Sequence, residues 1–102
     1  MKHDEFRDFL SKEMRTKGKS KLPLSDNAIK ARISRAGRIE KELQVNLDEA
    51  VKDINNLKEL KKQLKDSYSS NISSTLYNTA TRYYKFVHGE EPEKSHKDYL
   101  KL

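Results

Sequence analysis

Apolar residues recur at steps of three and four along most of the chain, which is the spacing of one face of an α-helix. No run of alternating β-branched residues predicts a strand. We therefore expect an all-α fold, a small bundle of four to five helices. Residues 1–89 should form this bundle as one domain. Residues 90–102 should be a polar tail, frayed or disordered, or a linker to a further segment.

The first two predicted helices are separated by a lysine-bearing loop. The first runs from about Asp4 to about Lys17, with Gly18 as its stop. Its apolar stripe consists of Phe6, Phe9, Leu10 and Met14. The second helix begins after Ser25, a favourable N-cap residue, and runs to about Gln44. Its stripe consists of Ile29, Ile33, Ala36, Ile39 and Leu43.

The second half of the chain predicts a short helix and two longer ones. Residues 47–51 favour a short helix after a break at Asn46, and Asp53 can cap a helix that ends near Asp66. The pattern leaves open whether these segments form one helix or two. The last helix follows a polar linker and ends at Gly89. Its predicted stripe consists of Ile72, Leu76, Ala80, Tyr83 and Val87.

The positive charge of the chain is concentrated in one segment. The 102 residues carry 22 Lys and Arg against 16 Asp and Glu, a formal net charge of +6. Residues 15–41 hold nine basic and two acidic side chains, so this segment alone has a net charge of +7. Charge concentrated in this way creates a directed field, which favours a polyanionic partner such as nucleic acid.

Few residues suggest catalysis or metal binding. The chain has no cysteine, which excludes disulfides and cysteine-based metal sites. His3, His88 and His96 are scattered, and the three glycines form no phosphate-binding loop. We therefore expect a protein that is not an enzyme and has no cofactor and no metal. No apolar run resembles a signal peptide or a membrane span, so we expect a cytoplasmic protein without a membrane partner.

The outer face of the second helix is the strongest functional signal. Long basic side chains alternate there with small ones, so the helix can approach a groove closely while its long arms reach phosphates or guanine edges. The candidate nucleic-acid-binding residues are Lys30, Ser34, Arg35, Arg38 and Lys41, with Lys17, Lys19 and Lys21 of the preceding loop. The alternative for this face is an ordinary solvated helix surface. Such a surface usually mixes positive and negative charges, as residues 58–66 do, and we expect those residues to be an ordinary solvated surface.

Two tyrosines of the last helix, Tyr77 and Tyr84, lie off the predicted stripe. They could stack on bases or anchor a partner helix, although such tyrosines more often cover the margin of a core. The alternative to DNA binding is therefore a protein-interaction or targeting module. Such a module would self-associate, bind an acidic partner or serve a separate catalytic domain, using these tyrosines and the leucines of residues 57–64.

Four stretches occur in an order typical of a known family. Residues 6–10 hold the aromatic start of the first helix, residues 24–29 read Leu-Ser-Asp-Asn-Ala-Ile, residues 47–51 read Leu-Asp-Glu-Ala-Val, and residues 79–86 read Thr-Ala-Thr-Arg-Tyr-Tyr-Lys-Phe. In this order they resemble the N-terminal core-binding (SAM-like) module of tyrosine recombinases, the phage-type integrases. The resemblance covers residues 4–89, although the second helix is more basic than is usual there.

The resemblance implies a four-helix module that clamps duplex DNA opposite a catalytic domain. No such catalytic domain is recognisable in these residues, so we do not expect Tyr83, Tyr84 or Tyr99 to act as a nucleophile. We expect a stand-alone module, or one truncated from a larger recombinase or nuclease. The prediction is thus a non-catalytic module that contacts duplex DNA, mainly its phosphates, through the second helix and the preceding loop. A partner protein or a fused catalytic domain would be its further partner.

Overall fold

The computed structural model describes residues 1–12, 25–90 and 92. Its helices are α1 (His3–Ser11), α2 (Asp26–Leu43), α3 (Leu47–Ala50), α4 (Ile54–Ser67) and α5 (Ser70–His88). No strand occurs in these described ranges. The predicted all-α bundle of four main helices and one short helix is therefore confirmed, and the question left open by the pattern is settled, because α3 and α4 are separate helices.

Side-chain caps define where four of the helices begin. The Ser25 hydroxyl accepts a hydrogen bond from the Ala28 N–H in the first turn of α2 at 3.2 Å. Asn46, Asp53 and Ser69 accept corresponding bonds at the starts of α3, α4 and α5. These bonds satisfy amide groups that have no partner inside the helix. The caps predicted at Ser25 and Asp53 and the break at Asn46 are therefore confirmed.

Two helices end in a residue with left-handed backbone conformation. Gln44 has φ 53° and ψ 48° after α2, and Gly89 has φ 80° after α5. Glycine adopts this conformation without a steric penalty, whereas glutamine does so at a cost because its Cβ crowds the backbone. The ends predicted for these two helices are confirmed.

α1 is shorter than predicted. It ends at Ser11, and the Lys12 N–H bonds to the Phe9 carbonyl at 3.1 Å, the three-residue spacing of a tightened final turn. The predicted end near Lys17 is therefore wrong. The remainder of the predicted helix falls within residues 13–24, outside the described residues.

The core lies where α5 meets the other helices. α5 contacts all four of them, and its largest contacts are with α4 and α2. Fully buried side chains come from every helix and include Phe6, Leu10, Ala36, Ile39, Leu47, Leu57, Leu64, Ala80 and Tyr83. The predicted stripe of α2 is confirmed, with Leu43 at its end only partly buried. On α4 the buried residues are Ile54, Leu57, Leu60 and Leu64. Because the leucines of residues 57–64 are buried, they do not form the exposed partner surface of the alternative prediction.

The predicted stripe of α5 is wrong at both ends. Its central members are buried, but Ile72 and Val87 are 39 % and 41 % exposed. Both lie in the terminal turns of α5, where a helix extends past the partners on which it packs. Ser73, Thr79 and Tyr84 are buried as well. The hydroxyl groups of Ser73 and Thr79 donate to backbone carbonyl groups of the preceding turn, so each has a hydrogen-bond partner inside the core.

A polar network joins α5 to the start of the chain and to α3. The buried Tyr83 hydroxyl donates to Asp48 Oδ1 at 2.7 Å and accepts from the Lys2 N–H at 3.0 Å. The Met1 ammonium lies 3.5 Å from Asp48 and 3.0 Å from Glu40 of α2. Burial, and next the bond to Asp48, raise the pKa of Tyr83. The hydroxyl therefore stays protonated at neutral pH and orders this junction.

Candidate nucleic-acid interface

The predicted residues of α2 all lie on its outer surface. Lys30, Ser34, Arg38 and Lys41 are exposed, and Arg35 is half-buried. At about 100° per residue, the four cations spread over about 140° of the helix circumference. The side of α2 that faces the core carries the apolar stripe, so the basic residues form one broad face on the opposite side. We call this set of five residues the α2 face.

Arg38 is held by two partners. Its Nε donates to Glu42 Oε2 at 2.9 Å, one turn further along α2. Its guanidinium lies over the ring of Tyr68, with the guanidinium carbon 5.1 Å from the ring centroid. The Tyr68 hydroxyl donates to Glu42 Oε1 at 2.5 Å. Because Tyr68 is the C-cap residue of α4, these contacts place Arg38 against the C-terminal end of α4.

Glu42 reduces the charge that the α2 face presents. The bond from Tyr68, and also the ion pair with Arg38, lower the pKa of Glu42, so the carboxylate is ionised at neutral pH. Within Asp26–Leu43, five basic side chains stand against three acidic ones, a net charge of +2. Residues 15–41, the segment with a net charge of +7, end just before Glu42, and four of their nine cations lie within residues 13–24. Those residues, with Lys17, Lys19 and Lys21, lie outside the described residues.

Gly37 lies beside Arg38 in the middle of α2. A Cβ built on Gly37 meets no atom within 4 Å, so nothing inside the described structure requires a glycine there. Glycine in a helix interior costs about 1 kcal/mol relative to alanine. Together with exposed Ser34, it leaves a low strip of helix backbone between the long basic side chains. This strip is open to close approach from outside.

A second basic face occurs on α4 and was not predicted. Its members are Lys58, Lys61, Lys62 and Lys65, which we call the α4 face. At about 100° per residue they occupy about 100° of the helix, and the acids Glu59 and Asp66 lie outside that arc. None of the four lysines forms an ion pair with another described residue.

The α4 face was missed because its mixed charges suggested mutual pairing. In the described structure no such pair forms on α4, so these lysines are not neutralised as the pattern indicated. The order of charges gives a reason, since Lys62 precedes Asp66 by four residues and this orientation is the less favourable one. The signal that could have identified the face is the spacing of Lys58, Lys61 and Lys65, which places them on one side of a helix.

The two candidate tyrosines differ in exposure. Tyr84 is only 3 % exposed and packs its ring against His88, with ring centroids 4.0 Å apart. Its predicted position off the core stripe is therefore wrong, and a buried ring has no face to offer a base or a partner helix. Tyr77 is half-buried, and the Lys61 ammonium lies 5.2 Å from its ring centroid. Tyr77 thus borders the α4 face.

Acidic side chains, in contrast, lie together on α1. An open groove between α1 and α5 is lined by Asp4, Glu5, Asp8, Phe9, Lys12 and Phe86. The described residues contain no group of three or more His, Asp or Glu side chains that could hold a metal ion. Among the described helices, none is both long and apolar enough to cross a membrane.

Comparison of the chain with protein-family models, with curated proteins and with solved structures gave no match. The resemblance of residues 4–89 to the core-binding module of tyrosine recombinases therefore stays a prediction.

Proposed function

We propose that this protein is a non-catalytic module that binds duplex DNA, mainly through its phosphates. The α2 face, the lysine-bearing segment before it and the α4 face would make the contacts. The proposal rests chiefly on the cations of the α2 and α4 faces. Apart from Arg38, none of these cations forms an ion pair with a described carboxylate. Such cations retain their attraction for phosphate, and neutralised ones do not.

The dimensions of the two faces suit a nucleic-acid backbone. Lys58 and Lys65 are seven residues apart, so the α4 face is about 10 Å long at a rise of about 1.5 Å per residue. Lys30 and Lys41 bracket about 16 Å of α2. Phosphates of one strand of a duplex recur about every 3.4 Å along the axis, so either face spans several of them. Arg38 adjoins the C-terminal end of α4 and would link the two faces.

A protein-interaction module is less well supported by the exposed surface. The leucines and one of the two tyrosines that this alternative requires are buried. The large apolar residues that are exposed among the described ones, Ile72 and Val87, lie near opposite ends of α5 and so do not form one patch. We therefore prefer DNA binding, and we treat concentration-dependent self-association without DNA as the result that would favour the alternative.

The proposal is tested by fluorescence anisotropy with a labelled duplex of about 25 base pairs and a matching single strand, between about 50 and 200 mM salt. We expect tighter binding to the duplex. Contact with about four to six phosphates predicts a slope near −4 to −5 in a plot of log K against log salt. Absence of binding at the lowest salt would contradict the proposal.

Charge reversal locates the contacts. Arg35→Glu with Arg38→Glu should weaken duplex binding by orders of magnitude without loss of helicity. The matched control is Arg7→Glu with Lys52→Glu, which changes the net charge equally at exposed positions outside both faces. The control should bind within a few-fold of the unmodified protein. If both double variants lose affinity equally, net charge alone governs binding and the assigned faces are wrong.

A further inference from the structure

Arg38, Glu42 and Tyr68 form a closed set in which each side chain contacts the other two. Arg38 Nε donates to one oxygen of Glu42 at 2.9 Å, and the Tyr68 hydroxyl donates to the other at 2.5 Å. The guanidinium also stacks on the ring of Tyr68, with its carbon 5.1 Å from the ring centroid. Tyr68, at the end of α4, thus contacts both members of a pair formed within α2. Glu42 and Tyr68 together restrict the orientation of the guanidinium.

An ordinary ion pair on a helix surface would not need this third residue. Pairs four residues apart stabilise a helix by only about 0.3–0.5 kcal/mol, and long side chains at such sites usually remain mobile. Here both oxygens of Glu42 have a partner, so the carboxylate cannot rotate away without losing one of them. The set is more restrictive than helix stability requires, which suggests that the orientation of Arg38 itself is what matters.

The held arginine retains its directional donors. A guanidinium has five N–H groups in a fixed fork, and Nε uses one of them. The two terminal amino groups form no hydrogen bond or ion pair with another described residue, and the side chain is 44 % exposed. Arg38 therefore offers the end of its fork to an acceptor outside the protein.

The neighbouring surface allows an acceptor to come close. Gly37 precedes Arg38, and a Cβ at this position would meet nothing, so no internal packing accounts for a residue that weakens the helix. Ser34, one turn earlier, is exposed and small. A large rigid partner can therefore approach the α2 backbone beside the guanidinium.

We propose that Glu42 and Tyr68 are positioning residues that hold the Arg38 guanidinium for bidentate contact with a guanine edge in the major groove of duplex DNA. This inference rests on the proposed binding of duplex DNA and names the group that would read sequence within it. Arginine bound to the O6 and N7 acceptors of guanine is the commonest specific contact between a side chain and a base.

A guanine edge suits this arginine better than a phosphate does. Glu42 offsets the charge of Arg38, which reduces its value for the non-directional attraction that phosphates exert. The directional hydrogen bonds of the fork are kept, and a guanidinium that is already oriented loses less freedom on binding. The lysines of the α4 face have the opposite character, because a flexible ammonium favours charge neutralisation without a fixed geometry.

The test uses the full chain and a pool of duplexes whose central base pairs are random. The bound fraction is sequenced, and the affinity for the whole pool is measured in parallel. We expect the unmodified protein to enrich guanine at one position or two by about 5- to 100-fold. Arg38→Lys keeps the charge but loses the fork, so it should abolish the enrichment while the affinity for the pool changes by only a few-fold.

The positioning residues are tested by Glu42→Gln and Tyr68→Leu. Both should reduce the enrichment by several-fold, and Glu42→Gln should at the same time raise the affinity for the pool because a negative charge is lost. The matched control is Glu59→Gln on α4, which removes an exposed acid that contacts no arginine in the described structure. It should raise the affinity for the pool and leave the enrichment unchanged. Circular dichroism and thermal melting check that each variant folds.

The outcomes separate this inference from the proposed function. If the unmodified protein binds the pool with steep salt dependence but enriches no guanine, the inference is overturned and DNA binding through phosphates stands. If Glu42→Gln keeps the full enrichment, Glu42 only competes with DNA for Arg38, and its positioning role is overturned. If the pool is not bound at all, both proposals fail together.

Discussion

The two basic helices, α2 and α4, are alike in composition and differ in how their charges are arranged. Each buries four residues against the core, and each has a net charge of +2. On α2 an acid lies within the basic face, where Glu42 and Tyr68 hold Arg38. On α4 the acids lie beside the lysines and pair with none of them. Two helices of equal net charge therefore present different surfaces. On α2 an acid pairs with one of the cations, whereas on α4 no lysine pairs with a described acid.

Both helices bury an apolar side in the core, and substitutions there should have the largest effect on stability. Ile39→Ala in α2 and Leu60→Ala in α4 should each lower the free energy of unfolding by about 2–5 kcal/mol, because each removes a buried side chain and leaves a cavity. Urea denaturation measures the change. Ile72→Ala, at an exposed position of α5, is the control and should change stability far less. A small loss at Ile39 or Leu60 would mean that the corresponding helix is not anchored in the core.

The outer faces should differ in their response to salt. Replacing the four lysines of the α4 face by glutamine should reduce the salt slope of duplex binding by roughly 2 to 4, since each lost phosphate contact removes about 0.9. Replacing Lys30 and Lys41 of α2 should reduce it by roughly 1 to 2. Glutamine has nearly the helix propensity of lysine, so helicity should not change. Equal slopes for both variants would remove the distinction between the faces.

Alkaline pH should destabilise the contacts of α2 and α3 before those of α4. The pKa of Tyr83 is raised in the folded protein, so the protonated hydroxyl stabilises the fold fully below about pH 10. That contribution declines as the pH rises above about 10 toward the higher pKa of the folded state. Glu40 of α2 and Asp48 belong to the same network, whereas α4 contributes no residue to it. Hydrogen exchange at rising pH should therefore show loss of protection around α3 and the end of α2 before α4.

Tyr83→Phe checks this assignment. It should lower the free energy of unfolding at neutral pH by about 1–3 kcal/mol, because the partly buried Lys2 N–H and Asp48 carboxylate lose a hydrogen-bond partner. It should also remove the loss of stability caused by Tyr83 ionisation above about pH 10. If the alkaline transition is the same in Tyr83→Phe, another group is responsible for it.

The smallest expected effect is at Gly37. Gly37→Ala should raise the free energy of unfolding by about 1 kcal/mol, since the added methyl group meets no atom of the protein and alanine favours the helix. It should weaken duplex binding by a few-fold, because the methyl group stands on the strip that a partner approaches. Gln63→Ala on α4, at an exposed position, is the control for helix propensity and should leave binding unchanged. Unchanged binding by Gly37→Ala would show that no partner comes close to α2 there.

Much of the architecture could be predicted because it depends on local chemistry. The helices were located by apolar spacing, and the caps at Ser25 and Asp53 by side chains that accept backbone hydrogen bonds within three residues. The apolar spacing also separated the inner from the outer face of α2 and α4. The C-terminal end of α1 and the burial of Ile72, Val87 and Tyr84 were predicted wrongly, because a periodic pattern does not say how far the neighbouring helices extend.

The sequence by itself determined that the chain is all-α, where most helices begin, and that its excess charge is positive, because these properties depend on the residues and their near neighbours. Only the tertiary structure decided which cations are available. Tyr68 and Glu42 are 26 residues apart, and their contact with Arg38 exists only because the end of α4 lies against α2. Likewise, the network of Tyr83 and Asp48 requires packing across 35 residues. Contacts of this kind follow from the arrangement of the helices in space, and no local pattern specifies them.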